Sequence, residues 1–223
     1  MSTRGGRPAL TENEVEQRKA TILSAALEQI SERGTAGVRM KDVARAANMS
    51  IGTIQYYFDS REELVLSAYR RHSEDVVNRV KPPVLGEKDP WEGLRQALHD
   101  FLHVADFTMR TRLWIELVAA SARDPQLLAL LDSVFLTWKQ VIRDLIDAGI
   151  ADGTFSPRVA PEIAVDALLA QLDGFEIAHA TGARGTDVAR IESVLQQTAR
   201  ALLGVRAPAE KPPACPETDT PRD

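Results

Sequence analysis

The chain has 223 residues, of which 44% are hydrophobic, and this supplies apolar material for one or two domains with buried cores. No apolar run reaches the roughly 18 residues that a transmembrane helix requires, so we expect no membrane partner. The formal net charge of −5 does not favour unspecific attachment to DNA through a broadly basic surface. The single cysteine, Cys215, excludes an intramolecular disulfide and fits a reducing compartment. Because no signal peptide precedes the first basic residues, we expect a cytoplasmic protein.

Residues 1–13 are expected to form a flexible basic arm, in which Arg4 and Arg7 stand close to glycines. Arms of this kind enter the narrow minor groove of DNA in homeodomains. A solvated terminus has the same composition, so both interpretations stay open. From Glu14 to Glu32 apolar residues recur at helical spacing, which predicts a helix that ends at Gly34.

Two short amphipathic patterns follow within residues 40–64 and meet at a tight polar corner. In the first, apolar residues recur at i, i+3, i+4 and i+7, and Asn48 suits the left-handed conformation that ends a helix. Ser50 is placed to cap a second helix. Its buried stripe is predicted to consist of Ile51, Ile54 and Phe58. The other positions then display polar and aromatic groups on a helix too short to be stable alone.

The two helices, their turn and the flanking helices resemble the TetR family of bacterial transcriptional regulators, from about Arg18 to Tyr69. Asn48 stands where that family usually has a turn glycine, and Gln55 where it usually has a tyrosine. The resemblance implies an all-α fold. Its parts would be an N-terminal three-helix helix-turn-helix domain (14–62), a connecting helix (63–80), a larger helical ligand-binding and dimerisation domain (81–204) and a disordered tail (205–223). A helical hairpin with an accidentally polar face is the alternative.

The resemblance also implies which residues contact an operator in double-stranded DNA. Base edges would be approached by Ile51, Gly52, Thr53 and Gln55, and phosphates would be held by Lys41, Tyr56, Tyr57 and Arg61, with Ser50 at the start of the reading helix. The chemistry agrees, because glutamine pairs with adenine, a threonine methyl contacts a thymine methyl, and hydroxyls and cations bind phosphate oxygens. Between residues 33 and 61, five basic residues oppose two acidic ones, a net charge of +3, so a basic reading head is predicted on an acidic chain.

Beyond a proline-rich segment at residues 81–90, the chain contains only helical patterns. Helices are predicted near Glu62–Val80, Pro90–Asp106, Met109–Ala122, Pro125–Gly149, Pro161–Thr181 and Thr186–Leu203. The segments TRLWIELVAASARDPQLLALL and LLAQLDGFEIAHA resemble the C-terminal domain of betaine-pathway-type repressors within the same family. That resemblance implies a small-molecule inducer inside this domain and a homodimer formed by its last two helices.

Apolar residues on those last two helices support the dimer, because they need to be covered. They are Ala164, Ala167, Leu168 and Phe175 on the first helix and Val188, Ile191, Leu195, Thr198 and Leu202 on the second. A two-fold dimer would present two reading heads to successive major grooves of a palindromic operator.

Candidate ligand-binding residues come from aromatic and charged side chains within the apolar helical runs. The aromatic candidates are Phe107, Trp114, Phe135 and Trp138, which suit an apolar pocket, although such residues more often belong to a core. Glu116 in LWIELVAA needs a partner, either a cationic ligand or an arginine in a structural ion pair. Asp173 admits a ligand contact or a polar bond across the dimer interface.

His99 and His103 stand four residues apart in HDFLH, which places two imidazoles on one helix face. They support the alternative function, a helical metal-dependent hydrolase or a metal sensor, but an aspartate replaces the glutamate of the zinc-protease signature H-E-x-x-H. Pocket-facing or solvated histidines explain the pair as well, and we count both among the ligand-binding candidates. The sequence has no nucleotide-binding or nucleophile signature, so we expect no enzymatic activity, no catalytic residue, no cofactor and no metal. The function that we expect is that of a ligand-responsive repressor.

Overall fold

The computed structural model describes residues 11–84, 89–104 and 106–205, without the side chains of 81–84, and this part of the chain is all-α. Its helices are α1 (Glu12–Arg33), α2 (Met40–Ala46), α3 (Ile51–Tyr57), α4 (Arg61–Val84), α5 (Pro90–His103), α6 (Phe107–Ser121), α7 (Pro125–Ala151), α8 (Pro161–Ala180) and α9 (Val188–Leu203). None of these described helices is long and apolar enough to cross a membrane. Arg4, Arg7 and Cys215 lie outside the described residues.

Helix α1 begins and ends at residues whose side chains explain its bounds. Thr11 Oγ1 accepts a hydrogen bond from the backbone N–H of Glu14 at 3.3 Å, and the Glu14 carboxylate accepts one from the Thr11 backbone at 2.8 Å. This capping box starts the helix at Glu12 rather than at the predicted Glu14. Gly34 ends it with a φ of 73°, and a Cβ there would lie 2.9 Å from the carboxylate of Glu116. The predicted stop at Gly34 is therefore confirmed.

The corner between α2 and α3 has the predicted construction. Asn48 is left-handed, with a φ of 54°, and Ser50 Oγ accepts a hydrogen bond from the backbone N–H of Thr53 at 3.1 Å. Ile54 and Phe58 are buried, but Ile51 is 47% exposed, so its predicted place in the buried stripe was wrong. The reason is that α3 packs from Ile54 onward, and its first residue projects past the core.

Helix α4 connects the head, formed by α1 to α3, to the rest of the molecule. Ser60 Oγ caps it by accepting from the Glu63 backbone N–H at 3.1 Å, and it continues to Val84 rather than ending at Val80. The head and the second part also share a core, because Leu113 and Leu117 of α6 pack into the same buried cluster as α1 to α4. Buried side chains of α6 therefore pack directly against the head.

A second core joins α5, α7, α8 and α9, and it corrects the predicted dimer surface. Ala164, Leu168, Ile191 and Leu195 are each at most 1% exposed within a single chain. Partly buried Phe175, Val188 and Leu202 pack against the same cluster. These residues need no second copy, because α5 and α7 already cover them. The large apolar side chains that α8 leaves exposed are Ile163 at 58% and Ile177 at 54%.

Candidate DNA-binding surface and ligand pocket

Helix α3 turns its buried side toward the head and its polar side toward solvent. Gly52, Gln55 and Tyr56 are exposed, and Tyr56 is 79% exposed. Thr53 and Tyr57 are half-buried beside them. The rings of Tyr56 and Tyr57 meet edge to face at 5.0 Å between centroids, so the two hydroxyl-bearing rings hold each other in place. These side chains are therefore accessible to a partner, and their roles in base reading and phosphate binding stay predictions.

The basic residues around this helix differ in whether other residues of the protein already bind them. Lys41 is exposed, whereas Arg45 and Arg33 pair with the nearly buried Asp42 at 3.2 and 3.4 Å. Arg61 donates to the carbonyl oxygens of Val38, at 2.9 Å, and of Thr35. In the unbound protein Arg61 therefore braces the turn after α1, and a phosphate contact would compete with those bonds.

A cavity of about 60 Å³ lies among α4, α5, α6, α7 and α8. Its aromatic walls are Tyr69, Phe101, Trp114, Phe135 and Trp138, and its polar groups include His72, Ser73, Arg110, Asp173 and Glu176. The structure thus brings together four of the predicted ligand-binding residues, Trp114, Phe135, Trp138 and Asp173. An apolar, aromatic wall with a few polar groups is the usual construction of a small-molecule site.

The other four predicted ligand-binding residues lie elsewhere. Phe107 is 7% exposed and lies behind the pocket wall, with its ring 4.7 Å from that of His179. His99 and His103 lie between α5 and α9, where His99 Nδ1 is 3.1 Å from Glu192. The Glu116 carboxylate accepts the backbone N–H of Thr35 at 2.9 Å. Within the described residues, the partner of Glu116 is therefore the turn after α1.

Burial dominates the electrostatics of the pocket. It raises the pKa of Glu176 to about 7, and the nearby Arg110 only partly opposes this. It also raises the pKa of Asp173 to about 6, against a hydrogen-bonding interaction with Trp114. Burial lowers the pKa of Arg110 to about 10 and, with the repulsion of Arg110, that of His72 to about 4. Close to neutral pH the pocket therefore holds a neutral His72 imidazole, a mostly ionised Asp173 carboxylate and a partly protonated Glu176, whose ionised form an added cation would favour.

Arg110 and Glu176 are pocket residues that the sequence reasoning missed. Each is 4% exposed, and Arg110 Nη2 lies 3.6 Å from Glu176 Oε1, too far for a hydrogen bond. Within the described structure, Nε and Nη2 of Arg110 have no hydrogen-bond partner. The spacing in the sequence could have indicated both residues, because Arg110 precedes the predicted Trp114 by four residues and Glu176 follows the predicted Asp173 by three. Those intervals place each pair on one helix face.

The turn at residues 34–37 connects the pocket to the head. Tyr69, which lines the pocket, lies with its hydroxyl 2.6 Å from Thr35 Oγ1. Glu116 binds the backbone of the same Thr35 from α6, the helix that also carries the pocket residues Arg110 and Trp114. Two pocket-lining helices thus meet one residue of the head.

A helix-turn-helix head joined through buried contacts to a separate small-molecule cavity defines a ligand-responsive transcriptional regulator. Comparison with protein families agrees. Residues 22–68 match the model described as "Bacterial regulatory proteins, tetR family", and residues 90–204 match "BetI-type transcriptional repressor, C-terminal". The chain belongs to the TetR family, with a BetI-type C-terminal domain.

Similar proteins are regulators as well. The transcriptional regulator PksA of Bacillus subtilis is 24% identical over 82% of this chain and 88% of its own length. BetI of Burkholderia cenocepacia is 30% identical over 50% of this chain and 59% of its own. A putative transcriptional regulator of Saccharomonospora viridis, solved in complex with choline, is 25% identical with a TM-score of 0.78, covering 86% of this chain and all of that one. The family and these relatives are regulators rather than enzymes, so the metal-dependent hydrolase alternative finds no support.

Proposed function

We propose that this protein is a repressor that binds a palindromic operator as a homodimer and is released by a small organic cation. The observation that carries this proposal is the pair of links from the pocket to Thr35. Both links are direct hydrogen bonds to Thr35 from helices that line the pocket. A movement of either helix would therefore act on the DNA-reading head.

For operator binding, we assign base contacts to the exposed positions of α3 and its first turn, and phosphate contacts to the tyrosine pair and Lys41. Ser50, whose hydroxyl lies 2.8 Å from Thr53 Oγ1 and caps the helix, orients that first turn toward the DNA. Arg4 and Arg7 remain predicted minor-groove contacts. The exposure of Tyr56 supports this assignment, because its hydroxyl is free to reach a phosphate oxygen.

For the homodimer, we assign the contact to the outward face of α8 together with α9. Ile163 and Ile177 lie near the two ends of this face, and Gly174, which has no neighbouring atom within 4 Å of its would-be Cβ, lies between them. A partner helix can approach closely at such a position. Self-association of one face gives a two-fold dimer, whose two heads would match two half-sites.

For the inducer, the pocket chemistry favours a cation that also carries a hydrogen-bond acceptor. Asp173 and Glu176 supply negative charge once ionised, and the rings of Trp114, Phe135 and Trp138 supply faces that attract a cation. The unpaired donors of Arg110 call for an acceptor such as a hydroxyl or a carbonyl oxygen. The Saccharomonospora viridis relative was solved with choline, which has both features, and we propose a ligand of this class here.

Release of DNA follows from the size of the cavity. Its volume of about 60 Å³ is well below the roughly 150 Å³ that accommodates benzene, so an organic cation must displace the walls. Tyr69 on α4 and Trp114 on α6 belong to those walls. We infer that the ligand favours a conformation with the heads at a separation unsuited to the operator, and by linkage the operator weakens ligand binding by the same factor.

The test is a fluorescence-anisotropy titration of the protein against DNA from upstream of its own gene, with a scrambled duplex as the control, in the presence and absence of choline. We expect sequence-selective binding that choline weakens. Tetramethylammonium, which lacks the acceptor, should bind more weakly than choline. Binding indifferent to sequence would contradict the operator proposal, and selective binding unaffected by either cation would contradict the inducer class alone.

A further inference from the structure

Two histidines and a glutamate meet on the side of the second domain, away from the pocket. His99 and His103 belong to α5, and Glu192 belongs to α9. One potential ligand atom from each residue lies within 4.8 Å of the others. The imidazole rings stack at 4.0 Å between centroids. In the described part of the chain, α5 and α9 therefore bring three side chains that can bind a metal close to one another.

The hydrogen bonds of the two rings leave nitrogen lone pairs available. His103 Nδ1 donates to the backbone carbonyl of His99 at 2.8 Å, so its Nε2 carries a free lone pair in the neutral form. That same type of bond orients many metal-binding histidines. His103 is exposed, and His99 and Glu192 are half-buried, so an ion from solvent can reach the cluster.

The distance between His99 and Glu192 suits a shared metal ion. His99 Nδ1 lies 3.1 Å from Glu192 Oε1. Ligands of a tetrahedral zinc ion lie roughly 3.3 Å apart, because Zn–N and Zn–O bonds measure about 2.0–2.1 Å. An ion that replaces the proton between these two atoms would need little movement of either, and the exposed His103 can supply Nε2 as the third ligand atom.

The surrounding charges also permit a cation. Arg95, which interacts electrostatically with Glu192, is also engaged by the carboxylate of Glu92 at 2.5 and 2.8 Å, and Arg79 lies beside His103 and Asp100. Gln196 donates to Glu192 at 3.0 Å and so orients the carboxylate without adding charge. Asp100, on the same helix, accepts from Gln96 at 2.7 Å and adds negative potential nearby.

We propose that His99, His103 and Glu192 form a binding site for a divalent transition metal ion of the zinc type, which fastens α5 to α9. Imidazole nitrogens favour zinc, copper and nickel over magnesium and calcium. Three protein ligands leave a fourth position for water. The site is separate from the inducer pocket, and its role is to stabilise the packing of α9, one of the helices that we assign to the dimer.

The experiment measures Zn²⁺ binding by isothermal titration calorimetry on the full chain without an affinity tag. A Cys215→Ser background removes the thiol as a competing ligand. We expect stoichiometric binding and a rise in the unfolding midpoint with free Zn²⁺. His99→Ala, His103→Ala and Glu192→Gln should each weaken binding by on the order of tenfold or more.

His179→Gln is the matched control, because it removes an imidazole on α8 and leaves the cluster intact. It should bind Zn²⁺ as the parent does. Since His103 is exposed, His103→Ala should fold with the same metal-free unfolding midpoint as the parent, so its loss of binding cannot be assigned to misfolding. No saturable binding, or binding that the three cluster variants leave unchanged, would overturn the proposal.

Discussion

The hydroxyl of Tyr69 lies 2.6 Å from Oγ1 of Thr35 in a buried hydrogen bond, while the same tyrosine lines the ligand pocket. One side chain therefore touches both the ligand cavity and the turn that follows α1. Burial raises the pKa of Tyr69, so its hydroxyl stays protonated in neutral solution. The bond therefore joins α4 to the turn after α1 throughout the neutral pH range.

Tyr69→Phe should uncouple the pocket from the head. The ring remains, so choline affinity should change little, but the lost buried hydrogen bond costs about 1–3 kcal/mol. We expect a lower unfolding midpoint and a smaller effect of choline on operator affinity, measured by anisotropy. Thr35→Val removes the same bond from the other side and should give the same result. An unaltered choline effect in both variants would refute the link.

Glu116→Ala should weaken the second link, since the Thr35 backbone N–H loses its acceptor. Glu116→Gln, which keeps a carbonyl oxygen in that place, is the matched control. We expect the alanine variant to respond less to choline and the glutamine variant to resemble the parent, with choline affinity preserved in both. If Glu116→Ala instead abolished choline binding in calorimetry, the glutamate would be a ligand-binding residue, as the sequence alone suggested.

Choline binding should tighten as the pH rises from about 5.5 to 7.5. Burial raises the pKa of Asp173 to about 6 and that of Glu176 to about 7, so both carboxyl groups ionise in this range, and a cation binds their ionised form better. His72 stays neutral in this range, its pKa being about 4. Calorimetry across this range measures the effect, and Asp173→Asn should flatten it. A pH-independent affinity in the parent would argue against ionised carboxylates as the partner of the ligand.

The same two groups affect stability in the opposite direction. Both are easier to protonate in the folded protein than in the unfolded chain, so their contribution to the free energy of unfolding is fully present below about pH 4. It is lost as the pH rises through about 6 and about 7. Replacing either carboxyl by its amide should therefore raise the unliganded unfolding midpoint near pH 8 more than near pH 5.

Gln55→Ala should reduce the preference for the operator over scrambled DNA, since a good bidentate base contact contributes about 1–3 kcal/mol of discrimination. Tyr56→Phe should weaken both duplexes alike, because a phosphate contact carries no sequence information. Both side chains are exposed, so neither unfolding midpoint should change. Anisotropy with the two duplexes separates these effects. If Gln55→Ala lost the same affinity for both duplexes, Gln55 would not be a base contact.

Ile163→Asp together with Ile177→Asp should dissociate the dimer, because each side chain is more than half exposed in one chain and lies on the assigned interface. Val118→Asp, at a 42% exposed position of α6, is the control for an added surface charge. Analytical ultracentrifugation gives the mass. Dimers that survive the double substitution would place the interface on another face.

The order of the helices was predictable from local chemistry. Ser50, Gly34 and Asn48 act on the backbone within a few residues of their own position, so their roles follow from residue type and spacing alone. The predicted helices of the second domain agree with the observed ones to within a few residues for the same reason, as their ends carry Pro, Asp or Gly. The outward-facing positions of α3 follow from the same helical periodicity, apart from Ile51.

The helices, their caps and the family of the head could be predicted from the residues alone, because these features depend on neighbours along the chain. Which side chains contact one another across helices depends on the fold. Glu116 contacts a turn more than eighty residues earlier in the chain, Ile191 is covered by its own subunit, and Arg110 and Glu176 meet inside one cavity. Periodicity shows that a helix face is apolar or charged, but which helix covers that face depends on packing between residues distant in sequence.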